Sequence, residues 1–475
     1  MHTEELKPPT PAVARRFTPF DRTVFAVLAL LILLILATIA LGDRVGVSVD
    51  AVTPLGEAHS TSPITIRFGE RMQPQTVAER FRTEPALEGE FSWRGSTFVF
   101  QPDEPLSAGT DYTVILEGGA VSETGRAVIS EYRYSFTVMP PRVAYLYPAD
   151  GAPQNIWVVD PQNLDRARQL TNSPSGVYDF AVSPDGARIA FSERNTSGTM
   201  DIKLIDLDSG ALIQLTNCQD SSCTTPVWRP DGGMIAYERV EHNSEFGEVG
   251  TSPARIWILD MSSLPPATRP LFDDLQILGV NAQWSADGSR IALFDRSSNA
   301  ILVYDFTTGE IIGIPNTSGT SGALSPDGTR LVMSEVNFIE GEPVRVKMQI
   351  ADLATNEIRD ISSGDDPIDE KRAQWRPDGA ALAVSRDDSR YYASTQIYLV
   401  DPDDGSSQPM TTDPLYANTF FWWNPSGTGL VIQRLPLLAS GQTDPMVRPE
   451  IWVFDVETGE GIKVAENGFL PRWIP

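Results

Sequence analysis

His2, His59 and His242 are the only histidines in the 475 residues. A serine or cysteine nucleophile needs such a base beside it, and of the three only His242 falls in a long loop of the part of the chain that carries the repeats described below. No G-x-S-x-G or H-E-x-x-H run accompanies them. Carboxylates offer a second chemistry. Glu241, Glu245, Glu248, Asp365, Asp366, Asp369 and Glu370 read as loop residues, and paired acids can cleave sugar polymers by general acid–base steps. Acidic loops equally stand in water or hold Ca²⁺ loosely. VDPDDG (400–405) has a calcium-like look, but it repeats a turn found along the chain, so no cofactor or metal is expected. Cys218 and Cys223, five apart in NCQDSSC, suit a local disulfide in a polar loop. A metal site would need further ligands close by. No residue is assigned a catalytic role.

The formal net charge of -26 argues against a nucleic-acid partner, which requires a basic face. TVFAVLALLILLILATIALG (23–42) is an uncharged run of twenty residues. As a helix it spans roughly 30 Å, the thickness of a hydrocarbon core. Lys7, Arg15, Arg16 and Arg22 precede it and Arg44 alone lies just after. The positive-inside bias therefore predicts residues 1–22 as a cytoplasmic tail, 23–42 as a single transmembrane helix and the remainder outside. A cleaved signal peptide is the rival reading, with Thr38 and Ala40 as small residues before a cut.

Residues 45–139 read as short strands, among them ITIRF, STFVFQP, YTVILEG and YRYSFTV, with Gly, Pro and Ser between them. That density predicts a β-sandwich. Tyr112 in LSAGTDYTV is placed for a tyrosine corner. The segment resembles bacterial Ig-like domains of the surface-layer type. It carries Thr53-Pro54-Leu55-Gly56, then Phe68-Gly69-Glu70-Arg71-Met72, then the Pro105–Val114 run. The resemblance implies a spacer or adhesion module, here a stalk that holds the next domain off the membrane.

Residues 140–475 repeat. SPDGARIAFSE, RPDGGMIAYE, SADGSRIALFD, SPDGTRLVMSE and RPDGAALAVSR recur, with NPSGTGLVIQR a weaker copy. Strands ending in Asp begin at Ile156, Ile202, Ile256, Ile301, Met348, Ile397 and Ile451, spaced by 46, 54, 45, 47, 49 and 54 residues. Four strands in a unit of this size predict a β-propeller with seven blades. Asp-Gly supplies the hairpin, because Gly accepts positive φ; the preceding Trp can bury its ring between blades. FLPRWIP (469–475) looks like a first strand that stops before its Asp-Gly, and the first unit lacks that strand. The C-terminal strand is therefore expected to complete the first blade. The units resemble the TolB-like, WD40-like propeller repeats in their WSPDG pattern. They depart from TolB in having seven units where TolB has six, and in the anchor and Ig-like segment that stand in place of its N-terminal domain. No role in the Tol–Pal system is carried over. The GH and WD signatures of true WD40 repeats are missing.

Asp-Gly turns and DxxxG turns fall together on one face and are short. The opposite face carries the long connections around 238–254, 335–343, 386–395 and 434–449. Loops of that kind are where binding usually resides. Phe246, Phe338, Tyr391, Tyr392 and Tyr416 are the expected exposed anchors, while Asp179, Thr225, Asn281 and Arg372 are expected at the channel mouth. The chain is thus expected to be all-β, a seven-bladed propeller plus an Ig-like sandwich with one N-terminal membrane helix. It would present the long-loop face to a protein or glycan partner outside the membrane. A polysaccharide hydrolase or lyase using loop carboxylates and an input module of a membrane signalling complex are the alternatives.

Overall fold

The computed structural model describes residues 18–475 except 43–45, 152, 244–249, 264, 340–341, 362–367, 389, 391–393 and 439–446. Helix α1 runs from Pro19 to Gly42, four residues earlier than the apolar run alone suggests. Its start is fixed by a capping box: the Thr18 Oγ1 accepts the Asp21 N–H at 3.3 Å and the Asp21 carboxylate accepts the Thr18 N–H at 2.9 Å. Pro19 then sits where a missing N–H costs nothing. The stretch Pro19–Ala37 is long and apolar enough to cross a bilayer, as a signal sequence would also be, and none of it is buried among the described residues.

The alternating strands that follow build a sandwich of two four-stranded sheets. One orders its strands as Val49–Thr53, Ile64–Phe68, Thr97–Pro102 and Gly89–Arg94; the other as Gly56–Ala58, Tyr132–Val138, Asp111–Leu116 and Phe81–Glu84. Alternation turns Ile64, Ile66, Phe68, Phe98 and Phe100 inward, where they form one core with Phe136 and Leu116. Tyr112 stacks on Phe136, and its hydroxyl accepts the Ser107 N–H at 3.3 Å.

Among the described residues, Arg142–Ile474 forms seven sheets, numbered 1 to 7 along the chain, each of four strands except sheet 3, which gains the short strand Gly250–Thr251 as a fifth. The backbone ladders of sheets 2 and 3 are joined by a single parallel bridge, Met200↔Ser222. Sheet 1 is built from both ends of the propeller: Phe469–Ile474 is its innermost strand and pairs with Arg142–Tyr147, Arg472 facing Ala144 and Trp473 facing Val143.

The repeated residues explain the seams. Trp228, Trp284, Trp375, Trp423 and Trp473 lie on innermost strands, and each donates its indole N–H to a carbonyl on the innermost strand of the preceding sheet, at 3.0–3.3 Å. Burying the ring is thereby combined with satisfying its polar edge. The turns repeat a device as well. In sheets 2, 4 and 5 a serine hydroxyl (Ser183, Ser285, Ser325) bonds the Asp two residues on and accepts the N–H of the Arg five residues on.

The sandwich lies against these short turns. Thr61 donates to the Pro184 carbonyl at 2.5 Å, Arg94 donates to the Asp231 carbonyl at 3.3 Å, and His59 Nδ1 is 3.0 Å from the Pro475 carbonyl oxygen. At Gly186 (φ +73°) an added Cβ would stand 2.6 Å from the His59 ring, so only glycine admits this contact. His59 is buried at the joint, and burial holds its ring below the usual histidine range. It is a packing residue there. The sandwich is thus docked directly on the propeller.

Candidate functional site: the propeller channel and the long-loop face

Innermost strands bulge where they approach the axis. Register shifts interrupt them at 177/179, 224/227, 280/283, 370/372, 418/421 and 469/472, and a bulge re-aims the side chains beside it. Thr225 and Asn281 take positive φ there, +52° and +56°, as does Leu470 at +49°. Each exposes an N–H, and an acceptor from the preceding sheet takes it: Asp179 Oδ2 for Thr225 at 2.7 Å, Glu238 Oε1 for Asn281 at 2.8 Å, Gln433 Oε1 for Leu470 at 2.9 Å. Asp179 also accepts the Ser192 hydroxyl. Burial pushes the Asp179 carboxyl up to about 6, against these hydrogen bonds and with help from Glu238.

Of the four residues expected at the channel mouth, three are therefore tied into one seam-to-seam pattern: Asp179 and Thr225 pair with each other, and Asn281 pairs with Glu238. The fourth, Arg372, is different. Its guanidinium lies over the rings of Phe420 and Trp422, each 5.2 Å from the ring centroid, and its Nε is enclosed without a hydrogen-bond partner among the described residues. Burial draws it down to about 10. A cavity of about 520 Å³ runs along the inner strands, lined among others by Thr225, Asn281, Arg372, Trp422 and Arg472. Arg472 and Trp422 were not legible as site residues. The register shift at 469/472 leaves Arg472 facing the axis, and ring closure brings it to the other two.

On the long-loop face, Phe246, Tyr391 and Tyr392 lie outside the described residues. Phe338 is exposed near the end of the hairpin formed by Arg330–Ile339 and Glu342–Asp352. Tyr416 corrects the expectation. It is half-buried, with the Arg434 guanidinium 3.9 Å above its ring and Trp452 edge-on at 5.9 Å, so it is no free anchor.

The carboxylates are corrected in the same way. Glu370 is not in a loop. It sits fully buried on the strand Ile368–Trp375, accepts the Met348 N–H at 3.0 Å and pairs with Arg386 at 2.7 Å. Asp369 accepts the Val346 N–H at 2.9 Å, and Glu241 pairs with Arg239 at 2.7 Å. Glu245, Glu248, Asp365 and Asp366 lie outside the described residues. His242 Nε2 lies 3.0 Å from the Ser222 hydroxyl, yet among the described residues no acid holds its other nitrogen, which a triad needs. VDPDDG is a turn: Asp401 accepts the N–H groups of Asp403 and Asp404. Among the described residues no three His, Cys, Asp or Glu side chains cluster as metal ligands. Cys218 and Cys223 are disulfide-bonded and buried against Ile202 and Leu204, not in an exposed polar loop as their neighbours suggest.

Residues 43–138 match the family described as bacterial Ig-like domain. No curated protein matches the chain. Among solved structures, an oligogalacturonate lyase in complex with manganese aligns at 15% identity over 68% of this chain and 84% of its own, with a TM-score of 0.47. TolB from Acinetobacter baumannii aligns at 15% identity over 70% and 80%, TM-score 0.39. The β-propeller domain of the trilobed protease from Pyrococcus furiosus aligns at 14% identity over 76% and 97%, TM-score 0.47. At these identities the likeness is one of fold.

Proposed function

We propose that the protein is a membrane-anchored scaffold outside the cytoplasm, whose propeller presents its long-loop face to a protein or glycan partner. In this reading residues 1–22 lie in the cytoplasm and α1 holds the chain in the bilayer. One observation supports it above others: the sandwich sits on the short-turn face through Thr61, His59 and Arg94. The anchor side of the molecule is thereby the short-turn side. The long connections and Phe338, exposed near the end of its hairpin, are left for a partner, and an exposed aromatic ring suits an interface anchor. The carboxylate-enzyme alternative loses support, because Glu370, Asp369 and Glu241 are all committed to structural partners.

Proximity labelling from the full anchored chain, alongside a glycan array, tests this. Replacing residues 338–343 by an Asn-Gly turn is expected to remove the dominant labelled partner or the glycan signal. Replacing Asp231 by Asn on the short-turn face leaves both intact. If nothing bound or labelled depends on the long connections, the proposal fails.

A further inference from the structure

Two cations share the channel, and among the described residues no acid forms an ion pair with either; Asp179 acts on Arg472 through its charge alone. Arg372 comes from the innermost strand of sheet 6 and Arg472 from that of sheet 1; between them stands Trp422 of sheet 7, with the two guanidinium carbons 5.2 and 4.2 Å from its ring centroid. Like charges enclosed this closely repel, and burial has stripped their hydration. Both are drawn well below the usual arginine value, to about 10 and about 9, and Arg372 is itself a cause for Arg472.

The two most deeply buried arginines elsewhere, Arg386 and Arg434, are partnered. Arg386 has Glu370 at 2.7 Å, and Arg434 donates to Asn418 at 3.1 Å. In the channel, by contrast, neither arginine is in an ion pair among the described residues. Among the described residues Arg472 donates only to the carbonyl of its neighbour Pro471, at 2.9 Å. Among the described residues the Nε of Arg372, the indole N–H of Trp422 and the hydroxyl of Thr225 are all enclosed and unpartnered. The nearby acids are already committed: Asp179 to Ser192 and Thr225, Glu238 to Asn281. Stacking on an aromatic ring offsets part of the cost of one guanidinium, but a single indole cannot neutralise two. A surplus of buried donors around one cavity needs an acceptor from outside the chain.

We infer that the propeller channel binds a small oxyanion, a carboxylate or a phosphate group, held between Arg372 and Arg472 beside Trp422. A planar guanidinium fork suits two oxygens on one centre, and the side-chain amides of Asn281, Gln283 and Gln374 line the same cavity. The site goes beyond the scaffold reading, and it stands even if the long-loop face binds nothing.

Titration of the full chain in detergent with inorganic phosphate and, separately, with acetate, at constant ionic strength, tests this by Trp fluorescence and melting temperature. At least one anion is expected to give a saturable change, and which one does identifies the preferred oxyanion. Arg372→Met and Arg472→Met are each expected to weaken that response at least about tenfold, equivalent to ~1.4 kcal/mol. Arg372→Lys, which keeps the charge but loses the fork, retains a weakened response and guards against misfolding of the Met variants. Wild-type protein silent to both anions, or Met variants that respond like wild type, would overturn the site.

Discussion

The sandwich and the propeller solve the same problem in opposite ways. In the sandwich, Ile64, Phe98, Phe136 and their neighbours make a single core that closes within one short stretch of chain. In the propeller, no sheet has a core of its own. Among the described residues the buried apolar side chains fall into clusters that each straddle a seam, such as Ala144 with Phe191 between sheets 1 and 2, or Val431 with Val143 and Trp473 between sheets 7 and 1. A sheet there is stable only through its neighbours. The ring therefore depends on its last strand, whereas the sandwich core closes without any residue of the propeller.

The strongest way to break that contrast is to remove residues 469–475. This takes Trp473 from one seam and Ile474 from the next. Losing a buried Trp alone costs ~3–5 kcal/mol, so the propeller melting transition should fall by roughly 5 °C or more, while a separate sandwich transition stays near its place. A calorimetric scan in which the propeller transition does not move would end the seam description.

Next in size is Glu370→Ala. It strands the Arg386 cation in a buried site, which costs ~3–5 kcal/mol and should appear in urea unfolding of the propeller only. A smaller effect comes from pH. Folded, the Asp179 carboxyl titrates near about 6; unfolded, roughly at 3.9. Between those values the folded chain holds the extra proton, so stability falls as pH rises through that window. Melting curves of Asp179→Asn across it should show a flatter slope than wild type; parallel slopes would remove Asp179 as the cause. Smallest is Tyr112→Phe, which deletes one hydrogen bond to the Ser107 N–H and should cost ~1 kcal/mol, read in the sandwich transition and absent from the propeller one.

Sheet construction was legible because its signals are local. An Asp-Gly turn, an alternating strand and a Trp before the turn each act within a few residues, and FLPRWIP shows the same strand without its turn. What escaped the sequence depends on partners brought in from afar. Tyr416 has the look of an exposed loop aromatic, but Arg434 from the adjoining strand covers it. Glu370 sits in the polar run IDEKRAQW, and nothing in that run says that Arg386 and the Met348 amide will enclose it. Arg372 was visible as a channel residue. Its unpaired state was not, because Arg472 is distant in sequence and only closure of the ring brings the two together. The left-handed backbone at Thr225 is equally silent, since threonine gives no local sign of it.

A chain made from its N-terminus onward completes the sandwich early, as domains generally do during synthesis. Sheet 1 has no such luck: its strand Arg142–Tyr147 emerges near the beginning of the propeller, and the strand that covers its edge emerges with residues 469–474. Throughout translation of the intervening sheets, that bare edge is a template for pairing with other chains. Chaperones and quality-control factors that shield strand edges would thus have their longest task at Val143–Leu146, and chains halted before residue 469 would be the aggregating species.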